Sequence, residues 1–184
     1  GGPGGVYYVP EWVSEEDEER LMRRVGEMPE GSWTNLRHRR LQNHGGSPHP
    51  EGMQPESVPL FIQSLMDALV TAGVFQEQAR PNHVLLNEYR TGQGIMPHKD
   101  GPLYMPWVAI LSLGAPAMLQ FWGSLADARA SHKGEGGSGP AASVLCQPRS
   151  LLIFSEDAYE AVFHGIAERS SDEIGDHTVN REQA

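Results

Sequence analysis

Hydrophobic and polar positions along this chain fall into two regimes. Near the start, Val6-Tyr7-Tyr8-Val9 has the composition of a short strand. Ser14 then stands before Glu15, Glu16 and Asp17, an N-cap with acidic residues at the positive end of a helix dipole. That combination predicts a first helix to about Met28, and a second amphipathic helix is expected over residues 58–74. Between them, residues 31–59 are rich in Gly, Pro, His, Asn and Arg with little periodicity. A long surface excursion is predicted there, and such loops often carry function.

From residue 83 onward the pattern changes to short β-rich runs separated by turn residues: 83–90, 95–97, 107–113, 118–121, 143–147 and 150–154. This is the spacing of an antiparallel sandwich or jelly roll, giving a mainly β chain with flanking helices, of α+β class. Residues 123–140 include Gly134-Glu-Gly-Gly-Ser-Gly-Pro140, read as a flexible low-complexity insert outside any site. No internal repeat is visible.

Composition narrows the picture further. At 184 residues and 39% hydrophobic, the chain can bury one substantial core, and one domain is expected over residues 1–184. The N-terminal helices and excursion occupy about 10–80, and the β core about 81–184. No run of about 18 apolar residues occurs, and the N-terminus lacks a charged region followed by an apolar one. A soluble intracellular protein is expected. The lone Cys146, beside Val144 and Leu145, excludes an internal disulfide framework and reads as a buried structural thiol. Net charge is −10, which disfavours non-specific binding to nucleic acid. Yet six of the fourteen basic residues lie between Arg20 and Arg40, so a local patch remains open alongside an ordinary solvated face.

The segment richest in chemistry runs from Asn87 through Tyr89 and Gly94 to His98-Lys-Asp100-Gly101. Residues two apart on an extended strand share a face, so His98 and Asp100 can converge on one ion while Lys99 points away. An isolated His-x-Asp more often marks a solvated turn. A third ligand is available in His164, after the apolar run Leu151-Leu152-Ile153-Phe154. Two histidines and a carboxylate on one face of an octahedral metal leave positions for a co-substrate and oxygen. His132 and His177 read as surface residues, while His38, His44 and His49 can face a substrate but not the metal.

The stretch from Asn87 to Tyr104, with the later Pro148-Arg149-Ser150-Leu-Leu-Ile-Phe and His164-Gly165-Ile166, resembles the AlkB family. Tyr7-Tyr8-Val9-Pro10, Leu41-Gln42-Asn43-His44-Gly45-Gly46, Pro48-His49-Pro50 and the run from Met96 to Tyr104 resemble the branch of the sixth mammalian AlkB homologue, over nearly the whole chain. That resemblance implies a double-stranded β-helix, Fe(II) held by His98, Asp100 and His164, and 2-oxoglutarate as co-substrate. It implies oxidative removal of alkyl groups, in many members from nucleic-acid bases. Asn87 and Tyr89 match residues that hydrogen-bond 2-oxoglutarate. A nuclear and cytoplasmic location is expected on the same basis.

One family feature, an Arg-x-Ser-x-Thr-x-Arg strand that meets the co-substrate, is absent from this sequence. The expectation is a further arginine-bearing strand beyond Ala184, without which 2-oxoglutarate binds poorly. A non-catalytic binding module of the same fold, or a cupin-like metalloprotein, are the alternatives. Around the mouth, Arg37, Arg39, Arg40, Gln42 and Asn43 are candidate substrate contacts, on a lid hinged at Gly45 and Gly46.

Overall fold

The computed structural model describes residues 5–133 and 138–183. In chain order its elements are β1 (Val6–Val9), α1 (Glu15–Gly26), β2 (Thr34–Asn35), β3 (Arg40–His44), β4 (Gly46–His49), β5 (Gly52–Pro55) and α2 (Leu60–Thr71). There follow β6 (Val84–Glu88), β7 (Ile95–His98), β8 (Trp107–Leu111), β9 (Ala117–Trp122), α3 (Leu125–Lys133), β10 (Ala142–Cys146), β11 (Leu151–Ser155), α4 (Asp157–Glu160) and β12 (Phe163–Ile166). Every one of the six β runs expected from residue 83 onward is a strand, within two residues at its ends.

Two sheets face each other. One has the order β1-β11-β8 and the other β10-β9-β12-β7, all antiparallel. Alternate residues of β9, β10 and β11 point between them: Leu119 and Phe121, Val144 and Cys146, Leu152 and Phe154. This period of two follows from the strand pleat, and Val6, Tyr8, Val108, Ile110 and Ile166 close the core from the flanking strands. Cys146 lies inside it, where burial pushes its thiol pKa up to about 12, as expected of a structural thiol. Ser14 caps α1, its Oγ accepting from the Asp17 amide at 3.1 Å. After β12 the chain returns to cover the edge of β10. Asn180 accepts from the Leu145 amide and donates to its carbonyl, at 3.0 and 2.9 Å.

The region 31–59 departs from the expected excursion, because it holds four strands. β3 is hydrogen-bonded on both sides, to β2 and to β6. Residues 40–44 are therefore framework rather than a lid. Gly46 is no hinge either: a Cβ there would lie 2.5 Å from the Asn82 carbonyl oxygen and 2.8 Å from Met53 Sδ. Gly, Pro and His in β4 and β5, and a single buried apolar residue, Leu41, in β3, leave these strands without a hydrophobic period. In the insert, residues 125–133 form α3, and residues 134–137 lie outside the described residues.

Phe154 ties this core to β12, since it is fully buried, meets Phe121 edge-on at 5.7 Å, and meets the His164 ring at 5.0 Å. Phe154→Ala is expected to destabilise the protein by about 3–5 kcal/mol in chemical denaturation, from lost burial plus the cavity left behind. A loss below about 1 kcal/mol would show that the two sheets do not pack through this ring.

Candidate metal centre

Register between β7 and β12 sets His164 directly opposite His98, and their rings lie 4.4 Å apart. Beyond this pair the register shifts, with Ile166 opposite Ile95. Gly165 permits that close passage, because a Cβ on it would fall 2.8 Å from the Ile95 carbonyl oxygen. Asp100 stands two residues past His98, just outside β7. One donor atom from each of His98, Asp100 and His164 lies within 4.8 Å of the others, and no other such group occurs among the described residues.

The donors are prepared for a cation. His98 Nδ1 is 2.8 Å from the Met96 carbonyl oxygen, which can only accept, so Nδ1 carries a proton and Nε2 is the atom left to ligate a metal. The Nε2 atoms of His98 and His164 each stand 3.9 Å from an oxygen of Asp100, too far for a hydrogen bond. His164 is buried; burial first, and His98 second, draw its pKa down to about 3, so its imidazole is neutral. Its Nδ1 is buried without a hydrogen-bond partner among the described residues. Burial raises the Asp100 pKa, with His98 opposing. Neighbouring donors on an octahedral ion bound at about 2.0–2.2 Å lie about 3 Å apart, so each His–Asp distance shortens by about 1 Å on such an ion. Two imidazoles and one carboxylate fit Fe(II), for which they leave open positions.

Asn87 and Tyr89 sit at the end of β6 and just past it. No hydrogen bond or ion pair among the described residues joins them to the trio; both instead gather around Arg39. Arg39 Nε donates to Asn87 Oδ1 at 3.1 Å, which leaves the amide NH2 of Asn87 to donate elsewhere. Burial pushes the Tyr89 pKa up to about 12, partly opposed by Arg39, so its hydroxyl is a permanent donor.

The other candidates diverge. Arg37 is exposed. Arg40 is occupied: it forms a two-pronged pair with Glu88 at 2.7 and 2.8 Å, reaches Glu30 at 3.1 Å, and lies 4.2 Å over the Trp33 ring. Gln42 is buried and donates to Ser32 Oγ, while Asn43 is exposed and bonded to His83 at 3.1 Å. His38 pairs with Glu168 at 2.9 Å. Arg169 reaches Gln120 and Asp172, and Arg181 lies on the surface near Asp176. Sequence reading missed Asn82, which donates to the Leu103 carbonyl and accepts from the Met105 amide, at 2.9 and 3.1 Å. It also missed Tyr159, whose hydroxyl donates to the Gly101 carbonyl at 3.0 Å. Neither carries a motif; each acts through backbone 20 residues or more away in sequence.

The family model described as the 2OG-Fe(II) oxygenase superfamily matches residues 47–182. A protein of Danio rerio, "Probable RNA/DNA demethylase ALKBH6", is 40% identical over 97% of this chain and 76% of its own length. A tRNA (carboxymethyluridine(34)-5-O)-methyltransferase, alkbh8 of Xenopus tropicalis, is 26% identical over 94% of this chain and 26% of its own. The solved structure of OsALKBH1 superposes with a TM-score of 0.62 at 17% identity, covering 89% of this chain and 85% of that one, and so shares the fold.

If the trio is the metal centre, titration with Mn(II) or Co(II) should give one site per chain. Asp100→Ala or His164→Ala should weaken it by more than about 100-fold, beyond the range typical of partners that only orient a ligand. Unchanged affinity in either variant would place the ion elsewhere.

Proposed function

The chain belongs to the 2OG-Fe(II) oxygenase superfamily as an AlkB-like dioxygenase using Fe(II) and 2-oxoglutarate, and on that premise we propose that it demethylates alkylated nucleic-acid bases. The observation that carries this reading is the convergence of His98, Asp100 and His164 on one point. Likeness to a probable RNA/DNA demethylase across almost the entire chain supports the substrate class.

The Nε2 atoms of His98 and His164 and the carboxylate of Asp100 would hold the iron. Fe(II), with 2-oxoglutarate and oxygen, supplies hydroxylation of an N-methyl carbon, which then leaves as formaldehyde while the co-substrate becomes succinate and carbon dioxide. The protein binds, orients and excludes water. Asn87 and Tyr89 are two neutral donors on one strand end, suited to a small dicarboxylate; Arg39 fixes the orientation of the amide. The far carboxylate of 2-oxoglutarate needs a cation, because burying it unpaired costs several kcal/mol. Arg39 stands beside Asn87. An arginine-bearing strand of the kind the family uses would meet the same need at β6 or β8, each of which ends its sheet.

For the nucleic acid, Arg37 is the exposed cation of the 37–40 cluster, whereas Arg40 holds β3 to β6. Arg37→Ala is expected to weaken oligonucleotide binding at any sequence and to lower the salt slope by about 1. Arg40→Ala should instead lower the melting temperature. Equal salt slopes for wild type and Arg37→Ala would remove this residue from the interface.

Tyr89→Phe should weaken 2-oxoglutarate binding by about 0.5–1.5 kcal/mol through loss of one hydrogen bond. The reaction itself is tested with iron-loaded protein, 2-oxoglutarate and parallel sets of N-methylated RNA, DNA and peptide substrates. Formaldehyde is expected from the oligonucleotides and not in His164→Ala. Release from peptides alone would overturn the proposed substrate.

A further inference from the structure

β7 and β12 fix the two histidines but leave the carboxylate out. The ladder ends at His98, so residues 99–101 have no strand partner. Among the described residues the Asp100 carboxylate accepts no hydrogen bond; its neighbours are the histidine nitrogens at 3.9 Å. Something other than the sheet has to set where this side chain stands.

The two residues flanking Asp100 are both tied to one place. Tyr159 Oη donates to the Gly101 carbonyl at 3.0 Å, and Lys99 Nζ donates to the Glu160 carbonyl at 3.0 Å. Tyr159 and Glu160 are consecutive residues of α4. Lys99 Nζ also lies 4.9 Å over the ring of Phe163, the residue before His164. α4 is itself anchored, because Ala158 and Tyr159 belong to the buried core. It starts from Glu156 at φ 53°, a left-handed conformation that a non-glycine residue adopts only when its surroundings hold it. The amides of Tyr159 and Glu160 return to the Glu156 carbonyl at 3.0 and 2.8 Å.

We propose that α4 is a clamp that positions Asp100 for the metal, with Tyr159 as its main positioning residue and Lys99 as a weaker second point. Tyr159 dominates because its ring is locked in the core and its hydroxyl bond is partly buried, whereas the Lys99 bond is exposed to water. A one-turn helix thereby links the carboxylate to the strand that bears His164, so all three donors move as one unit. This inference rests on the assignment of the trio as the metal centre.

The test is Mn(II) and Co(II) titration of wild type, Tyr159→Phe, Lys99→Met and the double variant, under conditions where each is fully folded. Tyr159→Phe keeps the buried ring and deletes only the hydroxyl. It is expected to weaken metal binding about 10-fold and to alter the visible Co(II) spectrum, as loss of a partner that orients a ligand does. Lys99→Met should weaken it about 2- to 3-fold, the size of one exposed hydrogen bond. Ser14→Ala, which uncaps the distant α1, controls for stability alone and should leave metal affinity unchanged. Failure of wild type to bind metal would sink the metal centre itself. Wild-type affinity and spectrum in Tyr159→Phe and in the double variant would overturn the clamp, as would equal weakening in Ser14→Ala.

Discussion

The pairing of β7 with β12 is the constraint on which this structure turns. A slip of one residue along an antiparallel pair would send His164 to the opposite face of its sheet and dissolve the site. The register is held from both flanks. On one side β9 pairs with β12, bringing Phe121 opposite His164; on the other the backbone passes Gly165 more closely than any side chain would permit. Phe154, from the facing sheet, then packs on the imidazole and keeps water from it. Burial of His164 and convergence with His98 are two results of a single register.

That burial has an electrostatic sign suited to the chemistry. A neutral imidazole is the form that ligates a metal, and desolvation favours it. The same desolvation disfavours the Asp100 carboxylate, which a nearby positive charge offsets. In the metal-free protein that charge is not supplied by any lysine or arginine paired with Asp100 among the described residues. The site is thus suited to completion by a cation, with the apolar core behind His164 and the partly exposed side chains of His98 and Asp100 on its other side.

The sequence disclosed the β core well because its strands are short, apolar and bounded by turn residues. Residues 150–154 and 118–121 could hardly be read otherwise, and His-x-Asp plus a histidine after the apolar run, joined to the family resemblance, pointed to the trio. The region 31–59 was opaque for a physical reason. Its strands pair through backbone and carry Gly, Pro and His, so no hydrophobic period announces them. Arg40 shows a related limit: a basic cluster in sequence looks like one patch, yet its guanidinium is taken up by Glu30 and by Glu88, the latter 48 residues away in sequence. Tyr159 was hidden because its role is a bond to another residue's backbone, and such a bond has no signature in either segment.

The most direct test of the metal centre is a crystal structure of the Mn(II)-loaded protein with anomalous scattering data. One anomalous peak is expected between β7 and β12, with His98 Nε2, His164 Nε2 and an Asp100 oxygen each about 2.0–2.2 Å away. A peak elsewhere, or a bound ion that any of the three fails to touch, would contradict the assignment.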